Sequence, residues 1–384
     1  MRYPIGVQTF EEIINGKYVY VDKTNPTVAI DPNGKQYTIA VGNNTANLEV
    51  KLTATDLDNG SGIAETKYAW STSNEEAPTA WSDFISEASV TNTVEGGVYY
   101  LWTNVTDKAG NEAVSIKTSN EFNVGYAVEY DVNGGEGKIT SQRKEHGVNL
   151  KLTEQKPTKD MYIFKGWATS ADSTVAEYTE NALYTKDESV KLYAVWSEVV
   201  ASTTIDGVTT NYDSVQGAIN AAGTNEGAIV TLLKDEILEY VTVAKGQNII
   251  LDVNGKTLKH FATSGYTINN MGELTIIGEG TIIGNTSNAT IKSNTTGKTV
   301  IDGNCQIIAV NHYPISNNNI FIVNNGTIIS ESSYAIHNYE TGKVEINGGS
   351  IQGVTYGISN AGGNVTVSDG NVQGATYGIL NRGN

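Results

Sequence analysis

Carboxylates are the residues whose types and spacing could do chemistry. In Asp56-Leu57-Asp58-Asn59-Gly60-Ser61-Gly62, alternate acids precede a Gly turn. Alternate carboxylates on a tight turn can converge on one hard cation, so Asp56 and Asp58 are candidate calcium ligands. An EF-hand loop needs a third ligand and a bidentate Glu further on, and neither follows. An ordinary polar turn is therefore the competing reading. The second candidate pair is Glu279 with Asp302. Two carboxylates about 5–10 Å apart could hydrolyse a glycosidic bond. Pairing these two requires a one-residue slip in register, since Asp302 otherwise has Asn325 and Gly348 as its equivalents. The alternative is two solvated turn acids. His260, His312 and His337 share no register with a carboxylate. The single cysteine, Cys305, excludes an intramolecular disulfide and a multi-cysteine zinc site. It falls on the Ile282/Ile328 register and reads as a buried, inert thiol. No catalytic residue is assigned, and a structural calcium ion is the one cofactor candidate.

The elements that must position these residues are strands. The chain has 384 residues, 40 glycines against 6 prolines, 17% charged residues and a net charge of −17. Abundant Gly, Asn, Thr, Tyr and Val in short alternating runs predict a mainly β protein. No run of about 18 apolar residues exists, so no transmembrane helix is expected. So acidic a chain is a poor ligand for phosphate backbones, which argues against nucleic acid.

From residue 202 to 384 the sequence repeats itself. Gly280, Gly303, Gly326, Gly349 and Gly370 are spaced by 23, 23, 23 and 21 residues. A second marker, Tyr-x-Ile-x-Asn, appears at Tyr266–Asn270, Tyr334–Asn338, Tyr356–Asn360 and Tyr377–Asn381. A unit this short cannot bury its own apolar face, so the units must stack. The stacked solution is a right-handed parallel β-helix of about 8 coils and roughly 40 Å, at the usual strand spacing. The tyrosines then form one column, and Asn270, Asn338, Asn360 and Asn381 form an amide ladder. Tyr212–Ala222 is the one clear amphipathic helix, placed to cap the first coil. The sequence ends just after a fresh marker, which predicts a C-terminally truncated array. The helical start and the repeats resemble the pectate-lyase-like β-helix superfamily. The Asn-Thr-Asp, Asp-Asp and Gly-His-Gly signatures of its hydrolases are missing.

Three further segments precede the array. Residues 126–196 carry Val128–Gly135, Tyr162-Ile163-Phe164-Lys165-Gly166-Trp167 and Leu192-Tyr193-Ala194-Val195-Trp196. This order resembles the Listeria–Bacteroides repeat (the internalin-type B repeat), a small β-grasp-like fold of surface-protein stalks. Trp167, Trp196, Tyr193 and Phe164 are its expected core, and an exposed sugar platform is the alternative role for one of them. His146 reads as a turn residue. Residues 25–124 show strand-like runs every 8–12 residues, the sandwich pattern. With Asp56, Asp58, Ser61-Gly62-Ile63 and Tyr68, Trp70, Ser71, they resemble bacterial Ig-like domains. Residues 1–24, through Tyr3-Pro4-Ile5-Gly6, Phe10, Tyr18-Val19 and Asp22-Lys23-Thr24, resemble the start of AAA-ATPase-like proteins of gut anaerobes. No GxxxxGK[ST] loop is present to hold a triphosphate. Nor do these residues form a signal peptide.

Together the resemblances imply a non-enzymatic, adhesin-like protein, secreted or at the bacterial cell envelope. Small modules would act as spacers and the β-helix as the contact surface. Expected partners are a glycan or a host or cell-surface protein. The alternative is a polysaccharide lyase or glycoside hydrolase of the pectate-lyase-like type.

Overall fold

A computed structural model describes residues 24–56, 60–112, 117–261, 264–284 and 287–382. The leader resemblance thus lies outside the described residues, Thr24 apart, and so does Asp58. Strands account for 53% of the chain and helix for 2%, as the composition predicts. Two compact units form. One comprises the chain up to Pro157 together with Phe164–Val195; the other comprises Thr158–Ile163 and the chain from Trp196 onward.

The first unit begins as a two-layer β-sandwich. Thr27–Asp31, Ala46–Thr55 and Glu87–Val94 form an antiparallel sheet. Ala46–Thr55 alternates strictly, and Leu48, Val50 and Leu52 are fully buried against Leu101, Val105, Phe122 and Val124 of the opposing layer. That alternation is why these residues form a half-exposed strand. Lys35–Ile39 and Glu87–Val94 are strands that the sequence pattern did not single out.

The opposing layer does not stop at the end of the sandwich. Phe122–Asp131 is a single ten-residue strand. Its first half pairs in parallel with Lys35–Ile39 and antiparallel with Gly97–Tyr99. Its second half pairs antiparallel with Gln142–Lys144 and in parallel with Val190–Tyr193. The expected boundary near residue 125 therefore falls inside one strand. Ser189 Oγ, donating to the Ile39 carbonyl at 2.6 Å, ties the two halves together. At the same joint Lys144, only 1% exposed, pairs with Asp187 and donates to the Glu145 carbonyl.

The repeat segment packs around Trp167. Its ring lies 4.7 Å from Tyr130 and 5.0 Å from Phe164, centroid to centroid. Leu152, Tyr184 and Leu192 complete the fully buried centre, while Phe164 and Tyr193 are only half-buried. Trp196, also half-buried, is grouped with the second unit. The core is thus less aromatic than expected, because alternation on Val190–Glu198 turns Leu192 and Ala194 inward rather than Tyr193.

The second unit is a parallel β-solenoid of three sheets. Its coils number seven, not eight. The difference lies at the start, where Ala201–Ile205 and Val208–Tyr212 pair antiparallel and close the first sheet instead of forming a coil. Six inter-coil steps give a stack of about 30 Å. Helix α1, Val215–Ala222, turns Val215, Ala218, Ile219 and Ala222 into the core, the i, i+3, i+4, i+7 face that its sequence requires. Ser214 Oγ caps it by accepting from Gly217 N, and the Glu239 carboxylate accepts from Val215 N and Gln216 N. One inward position of each sheet carries an unbroken aliphatic stack. In the third sheet this is Val241, Ile268, Ile291, Ile315, Ile336, Ile358 and Ile379.

Candidate functional site: the outward face of the third sheet

From Ile268–Asn270 onward, each strand of the third sheet ends on a polar residue in the inward register and presents one residue outward just before it; the first strand ends on Val243 instead. The inward series is an amide ladder. Asn317 Nδ2 donates to Asn338 Oδ1 at 2.8 Å, Asn338 Nδ2 to Asn360 Oδ1 at 2.8 Å, and Asn360 Nδ2 to Asn381 Oδ1 at 2.9 Å. Asn338, Asn360 and Asn381 stand where the marker places them. Asn317 is an additional rung, and its coil carries a fifth marker, Tyr313-Pro314-Ile315-Ser316-Asn317, that fits the pattern fully. Asn270 is not a rung. The next coil has Ser293 in register, whose hydroxyl is too short to continue the ladder. Asn270 Nδ2 instead donates to Thr299 Oγ1 at 2.9 Å, which lies 2.5 Å from Ser293 Oγ.

Two residues before the inward isoleucine lies the ring column. Tyr313 and Tyr334 stack with centroids 4.8 Å apart and planes at 22°; Tyr356 and Tyr377 do so at 6.0 Å and 14°. Tyr266 stands apart, because Ala289 fills the register position between it and Tyr313. Lys292 Nζ instead lies 5.1 Å from its ring centroid.

Histidines join the first ring pair. His337, between the inward Ile336 and Asn338, points outward to within 5.5 Å of Tyr313, 5.3 Å of Tyr334 and 4.3 Å of Tyr339. His312 lies 4.0 Å from Tyr313, and the Tyr313 and Tyr339 hydroxyls are 3.3 Å apart. Burial lowers the pKa of His337, with the charges of Arg382 and His312 adding to it; burial alone lowers that of His312. Burial raises the Tyr313 phenol, reinforced by the Tyr339 hydroxyl. Five rings thus form a half-exposed, neutral cluster with the Tyr313 and Tyr339 hydroxyls at its surface and Nδ1 of both histidines buried within it. Spacing of His against carboxylate could not reveal it, since the partners of His337 are tyrosines. The adjacent Tyr313 marker was the available signal.

The expected acid sites are placed differently. Asp56 folds into its own loop: Oδ2 accepts the Gly62 N–H at 2.8 Å, and a Cβ on Gly60 would lie 2.3 Å from that oxygen. Among the described residues no three His, Cys, Asp or Glu side chains converge. Glu279 and Asp302 are not in register. Ile276 pairs with Ile301 and Gly280 with Cys305, which sets Glu279 against Asn304. Asp302 Oδ1 accepts from Asn324 Nδ2 at 3.0 Å, and Asn347 Nδ2 donates to Asn324 Oδ1 at 3.0 Å. Asn324 and Asn347, not Asn325 and Gly348, are thus its equivalents. Asn325 Nδ2 bonds Asn304 Oδ1 instead, at 2.6 Å. Cys305 is buried, but in the register of Gly280; Ile307 holds the Ile282/Ile328 position. Burial raises its thiol pKa to about 11. His146, exposed in a turn, lies 3.0 Å through Nδ1 from the Tyr126 hydroxyl.

Residues 126–195 match the Listeria-Bacteroides repeat domain. No curated protein and no solved structure matches the chain.

Proposed function

We propose that the chain is a non-enzymatic, adhesin-like binding protein of the bacterial surface or of the secreted fraction. The sandwich, kin to bacterial Ig-like domains, and the repeat form a spacer, and the solenoid is the contact surface. The outward ring cluster on the third sheet is the observation that carries this reading. It collects aromatic and hydrogen-bonding groups on a regular, rigid face. Support comes also from the repeat, since Listeria–Bacteroides repeats occur in bacterial surface proteins. The register of Glu279 and Asp302 points the same way, because amides rather than a second carboxylate face each acid. A glycan or a host or cell-surface protein is the expected partner class.

The test is incubation of the whole chain with plant and mucin glycans, with and without Ca²⁺, reading both retained protein and released sugar. Retention without product is expected. Unsaturated or reducing products would overturn the reading in favour of a lyase or hydrolase and direct mutation to Glu279→Gln and Asp302→Asn. A Ca²⁺-dependent rise in thermal midpoint, lost in Asp56→Asn with Asp58→Asn, is the outcome that assigns calcium to that loop.

A further inference from the structure

We propose that the cluster of His312, Tyr313, Tyr334, His337 and Tyr339, with Arg382, binds a sugar chain carrying carboxylates. This inference rests on the reading of the chain as a binding protein; it names the place and the ligand class.

Charge is the first observation. The chain carries a net charge of −17, yet the outward column through Asn269, Lys292, Ser316, His337 and Ser359 contains no carboxylate. Neither does the ring column from Tyr266 to Tyr377; the nearest acids in the chain, Glu331 and Glu340, lie in flanking turns. Arg382 is the only arginine from residue 202 onward. Its backbone donates to the Asn360 carbonyl at 2.8 Å, which sets it at the end of the same sheet, beside the coil of Ser359, the register neighbour of His337. A guanidinium matches a carboxylate with two parallel hydrogen bonds, so a lone arginine beside a carboxylate-free strip favours an acidic ligand.

Unmet hydrogen-bonding capacity is the second observation. Among the described residues, five buried side-chain polar atoms lack a partner, and three of them lie on or beside this sheet: Nδ1 of His312, Nδ1 of His337 and Oγ of Ser359. Such atoms are uncommon and call for a ligand or water. A neutral imidazole nitrogen either donates to or accepts from a sugar hydroxyl.

Ring geometry decides which ligand fits. Tyr313 and Tyr334 each cover one face of the other, and the hydroxyls of Tyr313 and Tyr339 meet at the exposed side of the cluster. That surface is suited to a polyhydroxylated ring that hydrogen-bonds, rather than to a flat apolar group that needs a free face. A peptide adding as a strand finds no edge here, because each strand from Ile268–Asn270 to Tyr356–Asn360 is paired on both sides. The overall charge opposes every polyanion at long range, so an acidic chain is recognised here by the local carboxylate-free strip and Arg382 and not by steering. An extended pyranose chain advances per residue by a distance comparable to the inter-coil spacing of about 4.8 Å, so one sugar can face each coil.

The experiment measures binding of the whole chain to hyaluronan, alginate and polysialic acid, to their methyl-esterified forms, and to neutral dextran. Variants are Arg382→Gln and His337→Gln, with Lys259→Gln on the second sheet as control, each checked by thermal melt. At least one acidic polymer should bind, and esterification should weaken it by about tenfold or more, the worth of one charge-assisted pair. Arg382→Gln should abolish the preference for the acid over its ester, His337→Gln should weaken both forms, and Lys259→Gln should change neither. On titration, the His337 ring resonances should shift, a readout that a merely structural role would leave still. Acid binding unchanged in Arg382→Gln and His337→Gln would overturn the site and leave the binding-protein reading intact. Retention of neutral glycans alone would overturn the ligand class with the same residue. Retention of no glycan, here or in the wider panel, would overturn this inference; capture by surface proteins would then still uphold the broader reading.

Discussion

Trp167 and Ile307 are both fully buried β-strand residues, but they stand in opposite kinds of core. Trp167 is the meeting point of its module: Tyr130 and Phe164 pack on its ring, and Trp167 N and O hold the Tyr178 segment through backbone bonds. No other residue repeats its role. Ile307 is one rung of a stack that runs from Ile237 to Val372, with Ile282 before it and Ile328 after it. A small module has few layers over which to share burial, so its stability concentrates in one large ring. A solenoid adds nearest-neighbour terms coil by coil, so its stability is spread along the stack. A concentrated core is broken by one substitution, whereas a distributed one is broken locally.

Trp167→Ala is the largest break. Loss of the ring should cost about 4 kcal/mol, within the usual range for deleting a buried Trp. A urea titration followed by tryptophan fluorescence should show the first unit unfolding early, with the solenoid's far-UV signal persisting. Coincident loss of both signals would sink the contrast between the two cores.

Asn338→Ala should cost less, about 2 kcal/mol, because it leaves Asn317 Nδ2 and Asn360 Oδ1 without their buried partner. Native-state hydrogen exchange should show faster opening in the coils next to Asn338 and little change near helix α1. Uniform acceleration along the solenoid would contradict a nearest-neighbour stack. Asn270→Ala should behave differently, since that side chain bonds Thr299 Oγ1 and the Lys298 carbonyl and not the side-chain amide of the next coil.

The smallest effect is that of pH. His312 and His337 have folded-state pKa values held below their ordinary 6.5. The unfolded chain therefore takes up protons first as pH falls through 6.5, and the solenoid loses stability from there down to the folded values. In the first unit, burial opposes ionisation of Asp187, but Lys144 and the Gly147 amide hold its carboxyl below its ordinary 3.8. Its contribution is present above 3.8 and is lost only as pH falls through the lower folded value. Thermal midpoints between pH 7 and pH 5 should fall for the solenoid and not through Asp187. The double variant His312→Gln with His337→Gln should flatten the solenoid's profile; an unchanged profile would assign the effect to other groups.

Much of the fold was legible because repetition amplifies weak signals. One Tyr-x-Ile-x-Asn is a coincidence, whereas several at a near-constant period demand stacking. Val215, Ala218, Ile219 and Ala222 announce a cap by their helical spacing. The repeat module was legible through Trp167 and its Gly166 neighbour, where φ is +131° and a Cβ would lie 2.4 Å from the Tyr178 carbonyl oxygen. Legibility failed where register slips by one residue, as at Asp302, or by two, as at Glu279 and Cys305. The loops Ile277-Gly278-Glu279 and Asp302-Gly303-Asn304 are equal in length, so Glu279 meets Asn304; counting from glycines alone misplaces Cys305 and Asp302 in the same way.

The candidate face divides along the same line. Periodicity determined by itself that the chain is mainly β, that its second half is a stack, and that most of its marker asparagines bond one another through it. These follow from local patterns whose burial can be satisfied in only one way. Tertiary structure alone decided that His312 and His337 gather with tyrosines, that Phe122–Asp131 runs unbroken from sandwich into repeat, and that the acids stand apart. Those are relations between side chains of different coils and sheets. They depend on the length of each turn, and a one-residue change in a turn moves a side chain to another neighbour without leaving any mark in the pattern of its own strand.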